Sequence, residues 1–290
     1  MAEIKIAGIM RAAAFSPNHI GNDAAILNLV ADQLRKRGCV VNIYSEEQFM
    51  QGAAADEHIL INMCREARSI AMLQRREDAG DLVINSGYGI ENCVRERMTR
   101  ILMGSNIPSP RCIIADTDEV VRDRIARAGF TACWVKRGDS HTMHREDVSY
   151  ARHPQEAQEI LQEYFLRGMK RAVICEHLQG ELVKFYGVQG TPFFHWFFHF
   201  DSFPSKHTPQ GSASGKERPA LDEGAFKAVC ASAAEALGVT VYGGDAIVAP
   251  DGSFSIIDLN DWPSYAPCRP EAATVIARMI MNRIKKHADA

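Results

Sequence analysis

The chain has 290 residues and no run of about 18 apolar residues that could cross a bilayer. Its first ten residues, MAEIKIAGIM, lack the charged start, long apolar stretch and cleavage site of a secretory signal. The expectation is a soluble, cytoplasmic protein that meets no membrane. No excess of positive charge exists either: 33 Lys and Arg stand against 36 Asp and Glu, a net charge of −3, so no overall field holds nucleic acid. A small-molecule substrate is the expected partner. Its eight cysteines (39, 64, 93, 112, 133, 175, 230 and 268) form no Cys-x-x-Cys pair and no Cys/His cluster. That spacing signals neither a zinc site nor a disulfide frame, and reduced, buried thiols are expected. No internal repeat is present.

With 46% hydrophobic residues, the chain can bury a large core or two to three packed subdomains. Ile4, Ile6 and Gly8 open a strand. The polar stretch Phe15-Ser16-Pro17-Asn18-His19 follows, and then a helix with Ile26, Leu27, Val30 and Leu34 on one side. Gly38 ends that helix before a strand from Cys39 to Tyr44. An amphipathic helix near 56–76 and a strand Leu82-Val83-Ile84-Asn85 complete an N-terminal α/β unit with a parallel sheet, residues 1–90.

A helix over 91–104 stops at Gly104, and Pro108 and Pro110 mark a linker. Next come a strand (111–115), a helix (117–128), a strand (131–136), a basic loop, a helix opening at Pro154 and a strand (171–176), a small α+β unit over 91–180. Residues 181–290 carry an aromatic strand pair over 181–201 and a long Ser/Pro/Gly/Lys stretch at 202–220, either a lid or a surface insertion. A helix at 222–237, two strands joined by Pro250-Asp251-Gly252 and a final helix from Pro270 follow, an antiparallel C-terminal unit.

Three constellations can carry chemistry. Asp258 and Asn260 share one face of a strand, because side chains at i and i+2 point the same way, and Asp245 on the hairpin partner can lie across from them. Two carboxylates and an amide oxygen suit Mg2+ completed by phosphates; the plain alternative is a turn before Pro263. Lys136 ends an apolar strand, where its ammonium can meet a phosphate or simply face solvent. The strand Ala172–Glu176, with Leu178 after it, can offer backbone groups to an adenine, and Glu181 can take ribose hydroxyls. By position, Arg269 can fork onto a phosphate or carboxylate, and Asn18, His19 and Asn22 lie at the ligand edge of the first sheet; all four can equally be capping or surface groups. The run from Phe193 to Phe198 reads as a core strand rather than a binding platform.

Taken in order, these segments resemble the ATP-grasp superfamily across essentially the whole chain. Asn85-Ser86 through Arg97–Leu102 to Ile107-Pro108-Ser109-Pro110 resembles ribosomal-modification-type glutamate ligases and the related glutathione-synthetase-like enzymes. VICEHLQGELVKFYGVQG resembles the adenine hinge, and AAEALGVTVYGGDAIVAPDGSFSIIDLNDWPSY the metal-binding end. The resemblance implies the ATP-grasp fold, with Lys136 on the α/β-phosphates and backbone near Glu176 and Leu178 on adenine. It further implies Glu181 on ribose, Arg97 or Arg95 in place of a first phosphate lysine, and Asp245, Asp258 and Asn260 on Mg2+, with Mn2+ as an alternative.

Two departures bear on the reaction. Such ligases usually have Glu where Asp258 stands, and a glycine-rich loop where this chain has Lys136 to Arg145 with one glycine. Ser140-His141-Thr142-Met143, Lys184 in Val-Lys-Phe-Tyr, and Asp-x-Asn are similar to inositol phosphate kinases, and Arg137, His141, His144 and Arg145 could receive a polyanion or be plain solvated groups. The resemblance thus implies an ADP-forming carboxylate–amine ligase with Arg269, His141 and Lys184 as candidate catalytic groups. A small-molecule kinase of the inositol-phosphate type and a non-catalytic ATP-binding module are the alternatives. The oligomeric state is left open; that such relatives are often dimers makes a homodimer an analogy only.

Overall fold

The computed structural model describes residues 3–15, 20–139, 145–199 and 218–289. Ile6, Ala7 and Ile9 are fully buried on both faces of β1 (Lys5–Met10), as a central parallel strand requires. With β2 (Val40–Ser45), β3 (Ile59–Asn62) and β4 (Leu82–Ile84) it forms a parallel sheet in the order β2-β1-β3-β4. Helix α1 (Ile20–Arg35) seals one face with Ile26, Leu27, Val30 and Leu34, all fully buried. The short α2 (Glu46–Met50), α3 (Ala67–Asp78) and α4 (Gly87–Asn92) cover the other through Phe49, Ile70, Leu73 and Ile90.

The helix expected over 56–76 is corrected here. Residues 59–62 are strand β3, and the helix begins only at Ala67. The helix expected over 91–104 is likewise two helices, α4 and α5 (Arg95–Gly104), broken at Cys93-Val94.

The second sheet is antiparallel, in the order β5-β8-β6-β7: β5 (Cys112–Asp116), β6 (Cys133–Arg137), β7 (Val148–Ala151) and β8 (Arg171–Glu176). Helices α6 (Arg122–Arg127) and α7 (Pro154–Leu166) cover one face with Ile125, Ala157, Leu161 and Tyr164. Pro154 pre-sets the first turn of α7, and the His153 ring accepts from the Glu156 N–H at 3.2 Å. On the opposite face lie Cys112, Trp134, Lys136 and Cys175.

The third sheet is antiparallel in the order β10-β9-β11-β12: β9 (Glu181–Val188), β10 (Phe194–Phe198), β11 (Val241–Val248) and β12 (Phe254–Asp261). Helix α8 (Glu223–Leu237) packs on one face through Phe226, Cys230, Ala233 and Leu237. Asp222 caps it, accepting from the Ala225 N–H at 2.9 Å, and Gly238 ends it at φ 73°. The last helix, α9 (Arg269–Ala288), runs back to the first sheet, where Ala272, Ile276 and Ile280 join the α1 core.

Two buried side chains join the first and third sheets. The Asn85 carbonyl oxygen accepts from the N–H groups of Thr240 and Val241 at 2.9 and 2.8 Å, while its amide donates to the Val241 carbonyl at 2.7 Å. Arg65 forms an ion pair with Asp261, and both are buried. The start of β11 and the end of β12 are therefore tied to the first sheet.

Candidate functional site

On the third sheet, the face turned away from α8 is a two-row grid. Lys184, Asp245 and Asp258 lie side by side across β9, β11 and β12; Tyr186, Gly243 and Asn260 form the row beside them. The alternation read in the sequence thus brings the three expected metal-ligating residues together. Gly243 and Gly244 let the strands close: a Cβ at Gly244 would stand 2.2 Å from the Asp258 carbonyl oxygen. Lys184 Nζ donates to Asp245 Oδ1 at 2.7 Å, and both side chains are about one-quarter to one-third exposed. On β10, His195 and Phe197 lie on this same face, next to Tyr186. Phe194 and Trp196 point the other way, onto Phe226 of the core.

Between Asp245 and Ala246 the register slips, so that Asp245 faces Asp258 while Ala246 faces Ile256. Ile257 is the extra residue of a β-bulge, with no ladder partner on β11. Its carbonyl oxygen accepts from Lys136 Nζ of the second sheet at 3.4 Å. Lys136 is only 8% exposed, so its charge is held inside the cleft rather than in solvent. This contact sets the sequence-predicted lysine one residue from Asp258.

Helix α5 supplies a further cation. Arg95, 6% exposed, lies with Nη2 3.6 Å from Asp258 Oδ2. Arg97 points outward, half exposed, and pairs with Glu91. Of the two arginines weighed for a phosphate contact, it is Arg95 that the structure brings to the cleft. The helix is fixed to β6 by the Glu96 N–H, which donates to the Gly138 carbonyl at 3.1 Å. The Glu96 carboxylate takes two hydrogen bonds from Arg171, at 2.7 and 2.9 Å. Those bonds hold its carboxyl below the usual range although burial opposes them.

Glu176 ends β8. Its carboxylate accepts from the Arg111 backbone N–H at 2.7 Å and from the Arg111 guanidinium at 2.8 and 2.6 Å. Burial pushes this carboxyl up, but the bonds and charge of Arg111 outweigh it, and the group lies below the usual range. Its side chain is thereby committed to structure. The backbone N–H groups of Glu176 and His177 donate to Arg111 and Ala132 carbonyls at 3.0 Å, and Leu178 follows beyond the ladder, half-buried. Glu181 opens β9 and is exposed. Trp134, Tyr150 and His177 form an aromatic cluster on the same side of β6, with centroids 5.1 to 6.2 Å apart.

Arg269 stands apart from the grid, at the start of α9. It donates to the Ser264 carbonyl at 3.2 Å and to Asn22 Oδ1 of α1 at 2.9 Å, so two position-based candidates meet each other. His141, with Ser140, Thr142, Met143 and His144, lies outside the described residues, as do Asn18, His19 and positions 202–217.

Sequence reasoning missed a buried ionic network at the C-terminal edge of the first sheet. Arg11 pairs with Asp23 at 2.8 Å and donates to the Trp262 carbonyl at 3.3 Å. Burial, then the nearby Arg65, brings the Arg11 guanidinium down to about 10. Glu46, fully buried, accepts from the N–H groups of Ala12, Arg65 and Glu66 at 2.7 to 2.9 Å. No local signal marks these residues, since the contacts join strand ends far apart in sequence.

As a donor set, Asp245, Asp258 and Asn260 fit a hard divalent cation: two carboxylates, each about one-quarter exposed, and an amide on adjoining strand positions. Among the described residues no three His, Cys, Asp or Glu side chains converge. The cleft beside them is narrow. Arg95, Met98, Cys112, Lys136, Cys175 and Ile257 line a cavity of about 20 Å3. Larger cavities of about 460 and 320 Å3 lie on the first sheet, around Asn42 and Glu57 and around Arg11 and Glu46. No helix among the described residues is long and apolar enough to cross a membrane.

No family model and no curated protein matches this sequence. Solved structures do match its fold. A D-alanine–D-alanine ligase from Bacillus anthracis, complexed with ATP, superposes with a TM-score of 0.74 at 15% identity over 99% of both chains. A RimK domain ATP-grasp protein from Sphaerobacter thermophilus gives 0.66 at 14% identity, over 96% of this chain and 99% of that one. The ATP-grasp ligase PsnB, complexed with a minimal precursor, gives 0.62 at 15%, over 97% and 99%.

Proposed function

On the ATP-grasp fold that this chain adopts, we propose an ADP-forming carboxylate–amine ligase that uses Mg-ATP. The observation that carries the reading is the meeting of two sheets over one spot. Lys136 and Arg95 come from one side and Asp245, Asp258 and Asn260 from the other, with Lys136 Nζ 3.4 Å from the bulged Ile257 carbonyl. Cations facing a hard-oxygen set across a narrow cleft suit a metal-bound polyphosphate. The ligase names of the structural neighbours support the same reading.

In this reading residues 1–90, 91–180 and 181–290 act as three units. Lys136 and Arg95 take phosphate oxygens, the backbone after β8 near Leu178 reads adenine, and Glu181 takes the ribose. Held by Asp245, Asp258 and Asn260, with Mn2+ as a substitute, Mg2+ would neutralise phosphate charge. Lys184 balances the Asp245 carboxylate at 2.7 Å. Nucleotide entry requires the second sheet to draw away from β12, because a cavity of about 20 Å3 holds little more than a water. A substrate carboxylate then attacks the γ-phosphorus and ADP leaves. An amine attacks the acyl carbon of the acyl phosphate and inorganic phosphate departs. The protein positions the reactants and excludes water. Arg269, bonded to Asn22, lies at the first-sheet edge, where it can orient the acceptor.

The kinase alternative rests on His141, outside the described residues, on Lys184, which is bonded to Asp245, and on Asp258 where ligases usually have Glu. The test is Mg2+-dependent ADP release with two pools, one of amino acids and other carboxylates with amines, the other of inositol phosphates. ADP with a condensed product from the first pool is expected. ADP only from the second, with a product heavier by one phosphoryl group, would refute the ligase.

A further inference from the structure

Cys112 and Cys175 are direct register partners across the antiparallel pair β5 and β8, and their sulfurs lie 2.7 Å apart. Both are free thiols. Facing residues in an antiparallel pair have Cα atoms about 4.5 or 5.5 Å apart, inside the range of about 4.4–6.8 Å that a disulfide spans. Joining these sulfurs therefore needs side-chain rotation and no strand movement.

We propose that Cys112 and Cys175 are a dithiol modification site, converted by a peroxide into a reversible cross-strand disulfide at the wall of the cleft. The surroundings separate this pair from the other cysteines. Both residues line the small cavity that Lys136 and Arg95 also line, which sets the pair beside two cations. While their shared hydrogen bond pushes the Cys112 thiol up, it brings the Cys175 thiol below its ordinary value against the burial that raises it, with the charges of Lys136 and Arg95 adding to the effect. Desolvation drives the remaining thiols the opposite way, Cys133 to about 11 and Cys268 to about 12, with Cys39, Cys64, Cys93 and Cys230 also raised.

The chemistry balances. The Cys175 thiolate attacks one peroxide oxygen, the O–O bond breaks, and the departing hydroxide is protonated to water, leaving a sulfenic acid. The Cys112 sulfur attacks the Cys175 sulfur, the S–S bond forms, the S–O bond breaks, and the Cys112 proton leaves with the hydroxide as a second water. Two thiols and one peroxide become one disulfide and two waters. A dithiol reductant reverses the step.

The disulfide would fasten the end of β8, which leads to Glu176 and Leu178, to the start of β5. Resting on the Mg-ATP reading, bound nucleotide at Lys136 covers the pair and slows oxidation in proportion to occupancy. The experiment treats the reduced full chain with hydrogen peroxide, alkylates the remaining thiols and maps peptides without reduction. A Cys112–Cys175 linked peptide should dominate and vanish on dithiothreitol, and Cys112→Ser should instead accumulate a dimedone-reactive sulfenic acid at Cys175. Oxidation spread evenly over the cysteines, or a Cys112→Ser chain with no sulfenic acid at Cys175, would overturn the proposal. Repeating the reaction with Mg-ATP separates the two readings: a link that forms equally fast with nucleotide keeps the dithiol site and counts against nucleotide binding over Lys136.

Discussion

Each carboxylate facing the cleft has its own cation: Arg95 for Asp258 at 3.6 Å and Lys184 for Asp245 at 2.7 Å. Half-buried pairs of this kind fix orientation more than they stabilise. The Glu96–Arg171 pair is the opposite case, joining α5 to β8 away from the chemistry, with Arg171 also bonded to Asp116. Because the folded state lowers the Glu96 pKa, its contribution is complete above the ordinary carboxyl value and is lost as pH falls through the lowered one. Arg171→Leu should therefore cost about 1–3 kcal/mol at neutral pH and much less in acid. Urea unfolding of both proteins at neutral and acidic pH checks this; an equal gap at both would show that the charge pair is not the cause. At this scale the sequence displayed Asp245, Asp258 and Asn260, because strand alternation is local. It could not choose between Arg95 and Arg97, whose difference is which side of α5 faces β12. It was silent on Cys112 and Cys175, 63 positions apart.

Strands β11 and β12 approach as closely as they do because Gly244 has no side chain. A methyl there would stand 2.2 Å from the Asp258 carbonyl oxygen and 2.6 Å from the Phe185 ring. Gly244→Ala should cost about 1–3 kcal/mol through overpacking. Gly21→Ala, on α1 with nothing within 4 Å of the new methyl, should be neutral or stabilise by about 0.5–1 kcal/mol. Thermal melts of the two variants decide it, and equal melting temperatures would contradict the close approach. The longer elements were legible from periodicity and punctuation, as with α1 ended at Gly38, α7 opened by Pro154 and the Pro250-Asp251-Gly252 connection. Strand β3 was lost inside an expected helix because four residues, Ile-Leu-Ile-Asn, are too few to tell a strand from a helix by period. The break between α4 and α5 carries neither Gly nor Pro, and β7 is four residues long.

Across the whole molecule, the alternation of strands and helices made the fold class legible, whereas the assembly of the three sheets was not. It depends on Asn85 with Val241, Arg65 with Asp261 and Arg11 with Trp262, pairs 156, 196 and 251 positions apart, and on α9 returning to α1. Such pairs leave no local pattern. They nonetheless fix the end of β12, and with it the row of Asp258 and Asn260 that Lys136 faces. The central claim, that this meeting place holds Mg-ATP, is tested most directly by calorimetric titration of the full chain with ATP, with and without Mg2+. A single Mg2+-dependent site per chain is expected, abolished in Asp258→Ala and strongly weakened in Lys136→Ala while the circular dichroism of both stays that of the parent. Binding unchanged in both variants, or no binding by the parent chain, would contradict it.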